Sequence, residues 1–156
     1  MKKQKLLAAG MVWLIMAGCA QHGAMRVSIP GLERMTDEQK VAYVLEDVWR
    51  GMESRRVYQV LAHVSPGYLD QEGRDYNAIQ EYISYIVKAY YSVKITRTRP
   101  KILIAGDRAR AVETFGTIAA PWDARKDPPI NLQGQVTVYL ERAGSTWQIV
   151  EWGPLR

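Results

Sequence analysis

The chain has 156 residues, a formal net charge of +5, one cysteine and two histidines. A single thiol excludes an internal disulfide framework, and so few histidines leave no Cys/His metal cluster. Lys2, Lys3 and Lys5 carry much of the positive charge; without residues 1–18 it falls to about +2, which removes the electrostatic case for a nucleic-acid partner.

Behind these lysines, Leu6 to Gly18 carries no charge. A basic start, a short apolar core and small residues before a cut site are the layout of a secretory signal. The run is well short of the ~20 apolar residues that a helix needs to cross a bilayer. Met16-Ala17-Gly18-Cys19 resembles a bacterial lipobox, with Met where Leu is usual. That resemblance implies cleavage before Cys19, acylation of its thiol (palmitate-type chains) and, with Ala20 rather than Asp following, an outer-membrane anchor facing the periplasm. The alternative is an ordinary secretory signal that takes the cysteine away with it. Residues 1–18 are thus expected to be a signal peptide, 19–35 a lipidated tether and 36–156 one domain. Gln21 to Arg34 has no sustained period and contains Pro30-Gly31, as a tether would, and His22 there is expected to be solvated.

Thr36-Asp37-Glu38-Gln39 reads as a capping box. Val41, Val44, Leu45, Val48 and Met52 follow at helical spacing, with Trp49 flanking the stripe and Glu46 and Arg50 paired on the opposite face. A second, shorter helix is expected from Ser54, burying Val57, Val60, Leu61 and Val64 and stopping before Pro66-Gly67. A third opens at Asp75 as N-cap, its stripe running through Tyr76, Ile79, Ile83, Ile86, Val87 and Tyr90 and widened by Tyr82. So wide an arc predicts cover from more than one side.

From Ser92 the period becomes two. Strands are expected at Ser92–Arg99, Lys101–Ala105, Arg108–Ala120, Ile130–Arg142 and Thr146–Leu155, with a single strand kinked at Pro100 as the alternative for the first two. Gly106-Asp107 and Ala143-Gly144-Ser145 make tight connections, and Trp122 to Pro129 forms a polar loop. In the last strand Trp147 and Ile149 point one way, Val150 and Trp152 the other. A sheet with one solvated face alternates more cleanly, so a homodimer packed through the sheet is expected.

This order gives an α+β class, N-terminal helices packed on a strongly curved antiparallel sheet. Three stretches, GRDYNAIQEYI, ILIAGDRARAVETFGTI and the closing GSTWQIVEWG, resemble the nuclear transport factor 2-like (SnoaL-like) cone fold over Thr36 to Leu155. The resemblance implies a cone-shaped pocket and members of several kinds: isomerase-, dehydratase- and cyclase-like enzymes, ligand binders, dimeric scaffolds and accessory domains. Fold alone does not choose among them.

A dehydratase-like site, by that resemblance, uses paired histidines with an Asp. Past the tether this chain has only His63, expected at the edge of the second helix's stripe. Among carboxylates Glu113 stands out, because it shares a strand face with Ala111 and Phe115. Lining the cone it would have a raised pKa and serve as acid or base; at a bulged or edge position it would pair with an arginine such as Arg110. Glu151 is a second, weaker candidate. Tyr82, Tyr85, Tyr90 and Tyr91 crowd the third helix as core and rim, or as an aromatic wall joined by Trp49 and Trp152. Arg55-Arg56 and the Arg97, Arg99, Lys101 group read as solvated faces, with anionic lipid or an acidic partner as the alternative.

The expected pocket is therefore Trp49, Tyr82, Tyr90, Glu113, Phe115 and Trp152, with Cys19 as lipid site and neither metal nor cofactor. Three functions compete. The first is a non-enzymatic, membrane-anchored cone that binds an apolar small molecule or an envelope protein. The second is an isomerase- or hydrolase-type enzyme using Glu113 with a tyrosine. The third is a structural dimer whose cone is filled by its own side chains.

Overall fold

The computed structural model describes residues 34–156. The charged leader, Cys19, His22 and nearly all of the tether lie outside them.

Helix α1 (Asp37–Glu53) starts as its capping box dictates: Thr36 Oγ1 accepts from the Gln39 amide and the Gln39 side chain accepts from the Thr36 amide. Its stripe, Val41, Val44, Leu45 and Val48, is buried. The helix ends in a Schellman motif, the Arg56 amide bonding to Gly51 O and the Arg55 amide to Met52 O. The left-handed position falls on Arg55, at φ 58°, where glycine is usual. Its guanidinium offsets that cost by donating twice to Val87 O, near the C-terminus of the third helix. This break is why the second helix, α2 (Val57–Leu61), begins three residues later than the sequence suggests. Gly51 lets the two helices touch: a Cβ there would lie 2.9 Å from Val60 Cγ2.

Helix α3 (Tyr76–Ala89) is capped by Asp75, whose carboxylate accepts from the Ala78 amide at 2.9 Å. It buries Ile79, Ile83 and Ile86, whereas Tyr82 and Tyr85 are half exposed, so its tyrosine flank is not covered as expected. Helix gives way directly to strand: Tyr90, read from the sequence as helical, is the C-cap and opens β1 (Tyr90–Arg97).

The sheet continues with β2 (Lys101–Ala105), β3 (Arg108–Pro121), β4 (Ile130–Ala143) and β5 (Thr146–Trp152), all antiparallel in the order β1-β3-β4-β5. β1 and β2 lie end to end along one edge of β3, separated around Pro100. The sheet curves round α1, which touches β1, β2 and β5. Between them lies a core that includes Trp147, Ile149, Leu140, Val138 and Ala111, each at most 1 % exposed.

The last strand departs from simple alternation. Leu140 faces Ile149 and Tyr139 faces Glu151, which leaves Val150 as the extra residue of a β-bulge. The bulge resets the parity, so Trp152, opposite Val138, shares the concave face with Trp147 and Ile149. The two-faced pattern that suggested a second copy against the sheet has this local cause.

A clasp joins the start of α1 to the β4–β5 hairpin. Arg142 grips both oxygens of Asp37, at 2.8 and 2.7 Å, lies over the Trp147 ring and also bonds to Asp107. The guanidinium beside it holds the Asp37 carboxyl below its usual value.

Candidate functional site

Where the sheet opens away from the clasp, the concave face and the helices enclose a cavity of about 340 Å³, within the range that admits a small molecule. Its walls are largely apolar, with Val48, Trp49, Met52 and Ile83 from the helices and Val93, Phe115, Val136 and Trp152 from the sheet. Trp49 and Phe115 stack with centroids 6.1 Å apart. Half-exposed Tyr82, Leu132 and Leu155 mark the mouth. Among the described residues no side chain fills this cavity, whereas the third expectation had the cone filled by its own side chains.

Of the residues singled out in the sequence, Trp49, Tyr82, Phe115 and Trp152 come together on this cavity. Tyr90 and Glu113 do not line it. Tyr90 is buried in the neighbouring cluster of Ile86, Val93 and Ala119, and its hydroxyl donates to Pro128 O. Glu151 lies opposite Tyr139 on the convex side and accepts from Gln71.

Glu113 sits on the concave face, 1 % exposed, sealed from the cavity. Its Oε1 accepts from Trp49 Nε1 at 2.5 Å. Oε2 lies 3.5 Å from Arg97 Nη1 and, among the described residues, has no hydrogen-bond partner. Burial pushes the carboxyl above the usual carboxylate value, and the indole and Arg97 draw it part of the way back. The arginine is Arg97, not Arg110. An odd spacing of three puts Arg110 on the opposite face of β3, whereas Arg97 stands across from Phe115 on the concave side. Arg97 is consequently not a solvated charge: it bridges the buried Glu113 to Glu46 on α1, and Glu46 also holds Arg50.

Two polar features near the mouth escape sequence reading because they sit in a loop without periodicity. Glu72 and Arg74, paired at 2.8 Å, are the charged side chains of the lining. Beneath them Asp70 accepts from the Glu72 and Arg74 amides, from Arg74 Nε at 2.7 Å and from the Tyr68 hydroxyl. Burial opposes ionisation of Asp70, but the Arg74 bonds win and its carboxyl stays below its usual value. The same burial pushes the Tyr68 phenol up to about 12. The one local signal was the Asp70-Gln71-Glu72-Gly73 turn. His63, away from the cavity, bonds to Asp47 at 2.8 Å.

The sequence matches no protein-family model and no curated protein. Solved structures do match. A candidate scytalone dehydratase from Novosphingobium aromaticivorans superposes with a TM-score of 0.68 at 12 % identity, over 80 % of this chain and 85 % of that one. A nuclear transport factor 2-like superfamily protein from Salmonella enterica serovar Typhimurium gives 0.62 at 15 %, over 74 % and 87 %. The fold is the nuclear transport factor 2-like cone. A type 2 hexachlorocyclohexane dehydrochlorinase shares this cone too, at 0.65 and 10 % identity over 80 % and 88 %. At these identities the likeness concerns the fold. Among the described residues, no group of three or more His, Cys, Asp or Glu is placed to hold a metal.

Proposed function

We propose that the protein is a bacterial envelope lipoprotein, anchored in the outer membrane through Cys19, whose cone binds an apolar small molecule without turning it over. The observation that carries the binding reading is the wall chemistry. The cavity is apolar, its charged lining is a paired Glu72 and Arg74 at the rim, and the one carboxylate of the inner sheet face is closed off behind Trp49. Such a surface rewards burial of an apolar ligand at about 25 cal/mol per Å², and its charged groups are confined to the ion-paired Glu72 and Arg74 at the rim. The lipobox and the short apolar run support the anchor.

Ala119 lines the cavity and is 2 % exposed. Titration with the neutral fluorophore N-phenyl-1-naphthylamine is expected to saturate at one site per chain and to be lost in Ala119→Leu, a variant still folded by circular dichroism. Undiminished binding by that variant would place the ligand elsewhere and sink the reading.

A second reading, catalysis by Glu113 with a tyrosine, draws on the raised pKa of that carboxyl. The geometry gives it less: the hydrogen bond to Glu113 comes from Trp49, and no tyrosine is among its partners in the described residues. Glu113→Gln decides, since loss of turnover with folding and probe binding intact would establish an enzyme.

A further inference from the structure

Beside the cavity mouth lies a surface that the ligand-binding reading leaves unused. It is built from the end of α3, the start of β1 and the loop that follows β3. Trp122 is 67 % exposed, the most exposed tryptophan of the described residues. Tyr91 packs against it with centroids 5.3 Å apart, and the Arg55 guanidinium stands 5.8 Å over its ring. Together with Tyr85, Lys88 and Lys126, Trp122 lines a shallow depression. Arg125 is exposed on the same loop. The carboxylates here are Asp123, which accepts from the Arg125 amide, and Asp127, which accepts from the Tyr85 hydroxyl. Within the depression Lys88 and Lys126 balance these two, and Arg55 over the Trp122 ring and Arg125 on the loop add positive charge at its border.

We infer that this edge seats on an anionic bilayer surface, with the cavity mouth beside it. The inference rests on the envelope-anchored, apolar-ligand reading above. Tryptophan and tyrosine settle at membrane–water interfaces because their rings prefer the acyl boundary while their polar atoms stay wet. Basic side chains add attraction to anionic head groups, about fivefold in partition per net charge. The placement ties the surface to the cavity. Tyr82, one turn before Tyr85 on α3, and Ile130, directly after the loop, both line the cavity. A ligand apolar enough for these walls also partitions into lipid, so seating here gives it a path that does not cross bulk water.

The test uses the full chain mixed with two vesicle types, pure phosphatidylcholine and a 3:1 mixture of phosphatidylcholine with phosphatidylglycerol. Flotation reports the anchor, and the rate of amine acetylation of each lysine reports the seating. Lys101 is the internal control: it is exposed and stands opposite Val112, ten residues and about 30 Å along β3 from Trp122. Lys88 and Lys126 are expected to be protected at least fivefold on the anionic vesicles relative to the neutral ones, with Lys101 unchanged. Trp122→Ala and the charge reversal Lys126→Glu should each reduce the protection of Lys88. Flotation on both vesicles with equal acetylation rates overturns the inference and leaves the anchor standing. Protection on anionic vesicles without flotation on neutral ones upholds the inference and removes the anchor. Protection that persists in both variants places the contact elsewhere and also overturns it.

Discussion

Replacing Trp49 by Phe keeps a ring against Phe115 and deletes one atom that matters, the indole nitrogen that donates to Glu113 Oε1 at 2.5 Å. Because Oε2 has no hydrogen bond among the described residues, the variant leaves a carboxylate that in the wild type is 1 % exposed with Arg97, 3.5 Å away, as its remaining support. A hydrogen bond to a charged group contributes about 1.5–3 kcal/mol, and the cavity enlarged by the lost ring volume costs up to about 1 kcal/mol more. The expected cost at pH 7 is therefore about 2–4 kcal/mol, or roughly 10 °C in Tm for a domain of this size. The loss must shrink on acidification, since the indole is one of the groups that hold the Glu113 pKa down and without it the carboxyl takes a proton more readily. Urea unfolding followed by far-ultraviolet circular dichroism at pH 7 and pH 5 measures both effects. In a Glu113→Gln background the same change should cost about 1 kcal/mol less, because a neutral amide demands less of its donor. A loss below about 0.5 kcal/mol, equal at both pH values and additive with Glu113→Gln, would refute the idea that the indole holds a buried charge.

Other expectations follow from the same geometry. Gly51→Ala should destabilise by about 1–3 kcal/mol on urea titration, because the new Cβ meets Val60 Cγ2 at 2.9 Å and overpacking outweighs the helix-propensity gain of about 1 kcal/mol. The carboxyls titrate in opposite senses. Glu113 lies above its free value of 4.5 in the folded state, so stability falls as pH rises from 4.5 through the folded value, and Glu113→Gln should flatten that slope. Asp37 and Asp70 lie below 3.8, so the stability they contribute is present above 3.8 and lost as pH falls through their folded values. Asp37→Asn should remove part of that acid-side slope, read from Tm against pH.

Element types were legible in the sequence because the helical stripes and strand alternations are strong, and the caps at Thr36 and Asp75 are local chemistry. Boundaries failed where tertiary contacts decide them. Arg55 takes a left-handed conformation because its guanidinium reaches Val87 O, a contact thirty-two residues away that no local pattern announces. Likewise, the bulge at Val150 inverts the apparent facing of Trp152, and the residues alone suggested a two-faced strand. Of the four pocket side chains that meet on the cavity, Trp49, Tyr82 and Phe115 are placed there by helical stripe and strand parity, and Trp152 by the bulge. Glu113 was put on the correct face, but its closure behind Trp49 depends on how α1 crosses the sheet, which spacing within one strand does not report. Parity did carry one unused answer, since an odd spacing already rules Arg110 out as its partner.

Native mass spectrometry of the full chain, extracted in mild detergent without a delipidating step, tests most directly whether the cone holds an apolar small molecule. A mass excess that is lost on denaturation, belongs to an apolar compound and is missing from Ala119→Leu is the expected result. No excess in the wild-type chain, together with no uptake of N-phenyl-1-naphthylamine, would contradict it.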